Sequence, residues 1–188
     1  MTRHGSIAAL LVASACALGC GAEAAQGAGS ATPAAGTPTP AAGGRASAAP
    51  DFSLKSTDDR MVHLTDYLGK NVVLIDFWST TCNPCMAEMP YIVDLYKAKK
   101  DKGFVVLAIS LDGPESLADV KRVMKDKGMI FPVLLDEETT VVSRYNPKKD
   151  MPFAVLIDRG GNIVHKKPGY TPGDEKVLAA EVEKALLK

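Results

Sequence analysis

The 188-residue sequence is poor in aromatic side chains, with one Trp, five Tyr and five Phe. It has no net charge, since 22 Lys and Arg are matched by 22 Asp and Glu. Setting aside Arg3, Arg45 and Glu23 leaves 20 basic against 21 acidic residues over 51–188. A chain without a basic field has nothing to neutralise a phosphate backbone, so no nucleic-acid partner is expected. The short clusters KAKKDK (97–102) and PKK (147–149) read as solvated faces. Histidine is scarce, with only His4, His63 and His165, and cysteine is limited to Cys16, Cys20, Cys82 and Cys85. A structural zinc site requires four such ligands, and no second C-x-x-C is present to complete one. No metal and no bound cofactor are expected.

Charge is nearly missing from the first 50 residues. MTRHGSIAALLVASACALGCGAE opens with Arg3 and continues as an apolar stretch from Ile7 to Leu18. That stretch is too short to span a bilayer and suits the core of a signal peptide. Its end, ALGC (17–20), resembles a bacterial lipobox, which implies cleavage before Cys20 and lipidation of that residue. Ala17 stands where the lipobox favours Leu, and ASAC (13–16) is a weaker rival. Residues 21–50 are Ala, Gly, Pro, Ser and Thr, with Glu23 and Arg45 the only charges. Such a composition cannot bury enough surface to offset its ordering entropy. It reads as a tether of random-coil reach about 30 Å. The expected organisation is a lipoprotein-type signal over 1–20, a tether over 21–50 and one domain over 51–188.

Within 51–188, DFSL and MVHL read as short strands around the turn STDDR. NVVLIDFW (71–78) is an apolar run rich in Val and Ile, as expected of a strand buried on both faces. PCMAEMPYIVDLYKAKKDKG follows as a helix that Pro90 should kink and Gly103 should stop. FVVLAISL is a second buried strand, PESLADVKRVMKDKG an amphipathic helix and FPVLLD a short strand. EETTVVSRYN is a short helix, and FAVLID, RGGN and IVHKK form a hairpin before a C-terminal helix. This order predicts an α/β fold, a mixed sheet with helices on both faces.

Cys82 and Cys85 fall where the buried strand gives way to the helix. A bridge across so short a gap removes little chain entropy and makes a poor structural staple. At the helix N-terminus, free backbone N–H groups and the positive end of the macrodipole stabilise a thiolate at Cys82. Cys85, one turn further in and more shielded, is placed to resolve a mixed disulfide. A carboxylate at Asp76, ending an apolar strand, should have a raised pKa and suit proton transfer near neutrality.

LIDFWSTTCNPC (74–85) resembles the signature of the thioredoxin fold, and the continuation CMAEMP resembles the C-x-x-E-x-P of its TlpA/ResA-like branch. That branch comprises extracytoplasmic, tethered thiol–disulfide oxidoreductases, related to the redoxin or AhpC/TSA proteins. The resemblance covers 51–188. The long separation of Cys85 from Pro152 leaves room for the branch's inserted strand–helix unit. The resemblance implies Cys82 as the attacking cysteine, Cys85 as the resolving one, and a redox-active disulfide between them in place of any cofactor. Asp76 would manage the proton of Cys85, and Glu88 would influence the acid–base behaviour of the pair. Asn83 and Pro84 would tune the potential, and Met151–Pro152 would be a cis peptide facing the cysteines. With Trp78, these four would contact the partner. Pro147 and Pro168 are weaker rivals for the cis position.

The implied partners are exported cysteine-containing proteins, apocytochrome c among them, and a membrane electron donor. A monomer is expected, on the periplasmic side, held to the membrane by the lipid on Cys20. Two departures stand out: Thr81 replaces the aromatic residue common before the first cysteine, and Asp76 stands where many TlpA-like chains carry Asn. Two other activities compete. A thiol peroxidase needs a P-x-x-x-T-x-x-C context, which DFWSTTC lacks, and a stabilising Arg, for which only Arg144 is available. A Sco-like metallochaperone needs cysteines three residues apart and a histidine such as His165.

Overall fold

The computed structural model describes residues 47–188; the expected signal over 1–20 with Cys20, and the expected tether through residue 46, lie outside the described residues. Strands β1 (Ser47–Ala48), β2 (Ser53–Ser56) and β3 (Met61–His63) precede β4 (Val72–Trp78) and α1 (Asn83–Lys99). Next come β5 (Phe104–Ser110), α2 (Leu117–Lys127), β6 (Val133–Leu135) and α3 (Thr140–Tyr145). The hairpin of β7 (Phe153–Ile157) and β8 (Asn162–Pro168) leads to α4 (Asp174–Leu186). The sheet order is β1-β8-β7-β4-β5-β6-β2-β3. Only β4–β5 and β5–β6 are parallel; the other pairs are antiparallel, so the sheet is mixed.

All seven residues of β4 are buried. Its side chains alternate between faces. Val72, Leu74 and Trp78 pack with Met89 and Ile92 of α1, Val120 of α2, and Leu178 and Val182 of α4. Val73, Ile75 and Phe77 pack on the opposite face with Leu64 and with Val141, Val142 and Tyr145 from α3. Because both faces are covered, the strand reads as an unbroken apolar run. Asp76 shares the phase of Leu74 and Trp78 and so faces α1.

The helix expected to kink at Pro90 runs through that residue without interruption. Pro90 has no N–H for the carbonyl of Met86, four residues back. Lys127, at the end of α2, donates to that carbonyl at 3.0 Å. At the sheet edge, Ser47 and Ala48 pair with Ile163 and Asn162. The Tyr145 hydroxyl donates to the Pro50 carbonyl at 2.5 Å, and Arg144 donates to that of Asp51 at 2.7 Å. Residues 47–50, read from the sequence as the end of the tether, therefore run along the folded body.

Candidate active site

Cys82 is the N-cap of α1, in extended conformation, with Pro84 in the first turn. Its Sγ is bonded to that of Cys85. The Cys85 backbone N–H points at Cys82 Sγ at 3.2 Å, and Met86 N–H donates to the Cys82 carbonyl at 3.0 Å. In the reduced state the same N–H and the helix dipole favour a thiolate on Cys82. Exposure is unequal: Cys82 is half-buried, whereas Cys85 is 1% exposed. A thiol arriving from solvent therefore reaches Cys82 first. Asn83 and Pro84 are exposed beside it.

The turn between β4 and Cys82 is held from β5. Both oxygens of Asp112 accept from the Thr80 N–H, at 2.9 and 3.2 Å, and Oδ1 also accepts from the Thr80 hydroxyl at 2.7 Å. Ser110 donates to the same carboxylate at 2.8 Å. Cys82 N–H closes the turn on the Ser79 carbonyl at 3.2 Å. Sequence reasoning missed Asp112. A polar Ser-x-Asp closing an apolar strand was the available signal, but its target lies 32 residues away. Thr81, where an aromatic was expected, is exposed, and its hydroxyl lies 3.3 Å from that of Ser79.

On the α1 face of the sheet the chain buries two carboxyls and one ammonium. Asp76 is 1% exposed and its Oδ1 has no partner. Its pKa is pushed up to about 8, chiefly by burial and also by the charge of Glu88, while that of Lys167 opposes. Glu88, on the inner face of α1, is buried as well. Burial raises its pKa, and contact with Lys167 works against that rise. Lys167 Nζ lies 3.0 Å from Glu88 Oε1 and donates to the Gly169 carbonyl at 2.5 Å. Strand register explains the meeting: Asp76 pairs with Ala154, and Ala154 pairs with Lys167, so all three project to the α1 face. On the other side Asp76 pairs with Ala108. Its cross-strand neighbours on both sides are thus small.

Lys167 was not foreseen from the sequence. Leu156 pairs with His165 and Ile157 with Ile163, so Val164 is the extra residue of a bulge. The bulge puts Lys167 on the α1 face with Val164 and opposite Ile163, whereas strict alternation along IVHKK would place it on the face of Ile163.

The Met151–Pro152 peptide is cis, the only cis bond among the described residues. Pro152 is buried, while Met151 is partly exposed and packs, like Cys82, against the cluster containing Cys85 and Trp78. Trp78 itself departs from expectation. At 0% exposure it offers no surface to a partner, and it lines the apolar floor under Cys85 instead. Arg144 is occupied by the Asp51 carbonyl. His165 Nε2 is buried without a partner, and among the described residues no three His, Cys, Asp or Glu side chains gather as a metal site.

The AhpC/TSA family model matches residues 46–166. The chain belongs to that family. Within it the chain is ResA-like, with a thioredoxin-like fold. Thiol-disulfide oxidoreductase ResA of Oceanobacillus iheyensis is 42% identical over 120 residues, covering 62% of this chain and 60% of the relative. ResA of Geobacillus thermodenitrificans is 37% identical over 117 residues, covering 62% and 65%. The chain thus spans less than two thirds of the length of these curated relatives. Among solved structures, the thioredoxin domain of a thiol-disulfide oxidoreductase from Bacteroides vulgatus is 31% identical with a TM-score of 0.62, covering 74% of this chain and 95% of that one. A thiol:disulfide interchange protein of the thioredoxin family from Chlorobium tepidum is 27% identical with a TM-score of 0.65, covering 77% and 99%.

Proposed function

We propose that this protein is a thiol–disulfide oxidoreductase that works outside the cytoplasm and reduces exported proteins through Cys82 and Cys85. The observation that carries the reading is the Cys82–Cys85 disulfide at the start of α1, with the Cys85 N–H on Cys82 Sγ and the buried acid Asp76 on the same side of the sheet. The ResA-like membership supports the same reaction class.

In the reducing direction, the Cys82 thiolate attacks one sulfur of a partner disulfide and releases the other as a thiolate. Cys85 then loses its proton to Asp76 and attacks Cys82 Sγ. The mixed disulfide breaks, the second partner sulfur leaves as a thiolate, and Cys82–Cys85 forms. Two electrons have passed to the partner, and a dithiol donor at the membrane returns them. The half-buried Cys82, exposed Asn83 and Pro84, and Met151 beside Pro152 form the surface that meets the partner. The lipidated Cys20 and the 21–50 segment would hold the domain near the periplasmic membrane surface, and apocytochrome c is the foremost partner class.

The peroxidase reading shares the family name, but Arg144, its one candidate for stabilising a peroxidatic thiolate, is engaged elsewhere.

The test is the reduction potential of the Cys82–Cys85 pair in defined thiol buffers, together with disulfide exchange by C82S. Trp78, the single Trp and a neighbour of Cys85 in the core, reports the redox state by fluorescence. A potential near or below about −220 mV supports a reductant, and about −120 mV would make the protein an oxidant. A potential far below about −300 mV, or full activity in C82S, removes the enzyme reading.

A further inference from the structure

Two buried carboxyls, Asp76 and Glu88, share one buried ammonium, Lys167. A closed site with one cation tolerates one ionised carboxyl far better than two, because the second buried negative charge would have no partner. Which carboxyl keeps the proton is decided by contact. Lys167 Nζ touches Glu88 Oε1 at 3.0 Å, while Asp76 has no hydrogen-bonded cation and its Oδ1 has no partner at all.

Lys167 is itself held in place. Its ammonium donates to the Gly169 carbonyl, lies 3.8 Å from Asp174 Oδ2 and sits 5.1 Å over the Tyr170 ring. Its stem is fixed by the row Asp76–Ala154–Lys167 across β4, β7 and β8, with small Ala154 leaving the space that it crosses.

We infer that Lys167 is a positioning residue of the dithiol chemistry: by keeping Glu88 ionised, it confines the exchangeable proton of the buried acid pair to Asp76. The inference rests on the thiol–disulfide reading above. When the disulfide is opened, Cys85 is left a thiolate and takes its proton from the Asp76 carboxyl, so the negative charge moves from sulfur to Asp76 and the buried site gains no further charge. When Cys85 resolves a mixed disulfide, the proton returns to Asp76. Glu88 stays an anion through both steps, and its charge keeps Asp76 a weak enough acid to match a thiol. The raised pKa of Asp76, with Glu88 as a contributing cause, fits this division of labour.

Other charged groups face the pair. Asp174 and Glu175 at the start of α4 raise the pKa of Glu88. Tyr170 lies against Lys167, and His165 follows the bulge on the same face of β8. A test must therefore read each carboxyl separately.

Carbon-13 carboxyl NMR titration of the oxidised protein does so, in wild type, K167M and K167R, beside the pH profile of mixed-disulfide resolution. In K167M the Glu88 titration should rise by at least about one pH unit, because burial is then unopposed. The pH at half-maximal resolution rate should move with it, and K167R, which keeps the cation, should restore most of both. A Glu88 titration that stays put overturns the inference. So does a moved titration with an unmoved rate profile, since Lys167 would then be a structural ion pair alone. If K167M does not fold, E88Q provides the second reading: Asp76 should titrate lower than in wild type, having lost the anion and kept the cation, and an unchanged Asp76 overturns the inference. A wild-type protein that exchanges no disulfides fails the functional reading and takes the role of Lys167 with it, whatever the carboxyls show. Because wild-type exchange is measured by itself, the two failures are distinguishable.

Discussion

Lys127 Nζ donates to the carbonyl oxygen of Met86 at 3.0 Å, the acceptor left without its helical donor by Pro90. A contact 41 residues apart in sequence thus repairs a gap in the helix that carries both cysteines. K127M should lower stability by about 1.5–3 kcal/mol, the usual scale for a hydrogen bond with a charged partner. In a P90A background the cost should shrink, because residue 90 then supplies the missing N–H. Urea unfolding of the four proteins of this cycle measures the coupling, and strictly additive effects would disprove the repair.

The strands and helices of the body were legible because their signals are local. NVVLIDFW shows its double burial as an unbroken apolar run, and Gly128 ends α2 in left-handed conformation at φ of 66°. Gly103, expected to stop α1, closes instead a 3-10 turn (Lys100–Lys102) that follows the end of α1 at Lys99. Cys82 could be placed at the N-cap of α1 from Pro84 and the strand before it. Partners set by register were not legible. Lys167 depends on a one-residue bulge at Val164, Asp112 on the parallel pairing of β4 with β5, and Lys127 on helix packing. Trp78 was misjudged for a related reason. Its place beside the motif says nothing of its phase in β4, and that phase points it into the core.

Asp112 anchors the turn that delivers Cys82, through the N–H and hydroxyl of Thr80 and the hydroxyl of Ser110. D112A leaves those part-buried groups unpaired and should cost about 2–3 kcal/mol of stability. It should also loosen Cys82 relative to the helix end. The expected signature is a slower reaction of reduced Cys82 with a small alkylating reagent at neutral pH, as the thiolate loses its fixed N–H. An alkylation rate equal to wild type, with stability lowered, would confine Asp112 to a structural role.

The unequal exposure of the two cysteines makes C85S the informative single substitution. In the proposed reaction Cys82, the accessible sulfur, attacks, and in C85S no second sulfur would resolve the adduct. Cells producing C85S should accumulate covalent adducts of this chain with cysteine-containing partners, and reductant should dissolve them. C82S should give none. Adducts from C82S and none from C85S would reverse the assigned roles, and equal yields would remove the distinction between the two cysteines.

Asp76 links the site to stability. Its carboxyl holds a proton more tightly in the fold, at about 8, than in the unfolded chain, where the value is about 3.9. Below about pH 4 both states carry the proton and Asp76 contributes no pH dependence. Between about pH 4 and 8 unfolding releases that proton, so stability falls as pH rises, and above about 8 the loss is complete. D76N cannot ionise. The oxidised variant should therefore match wild type near pH 4 and exceed it by up to a few kcal/mol at pH 8. Denaturant unfolding at the two pH values reads the gap, and a gap that does not widen would mean that Asp76 is already ionised in the fold. The stabilised variant should also be the slower catalyst. Without a carboxyl to take the proton of Cys85, resolution at neutral pH should slow by about 100-fold. A gain in stability with no loss of rate would leave Asp76 without a part in the chemistry.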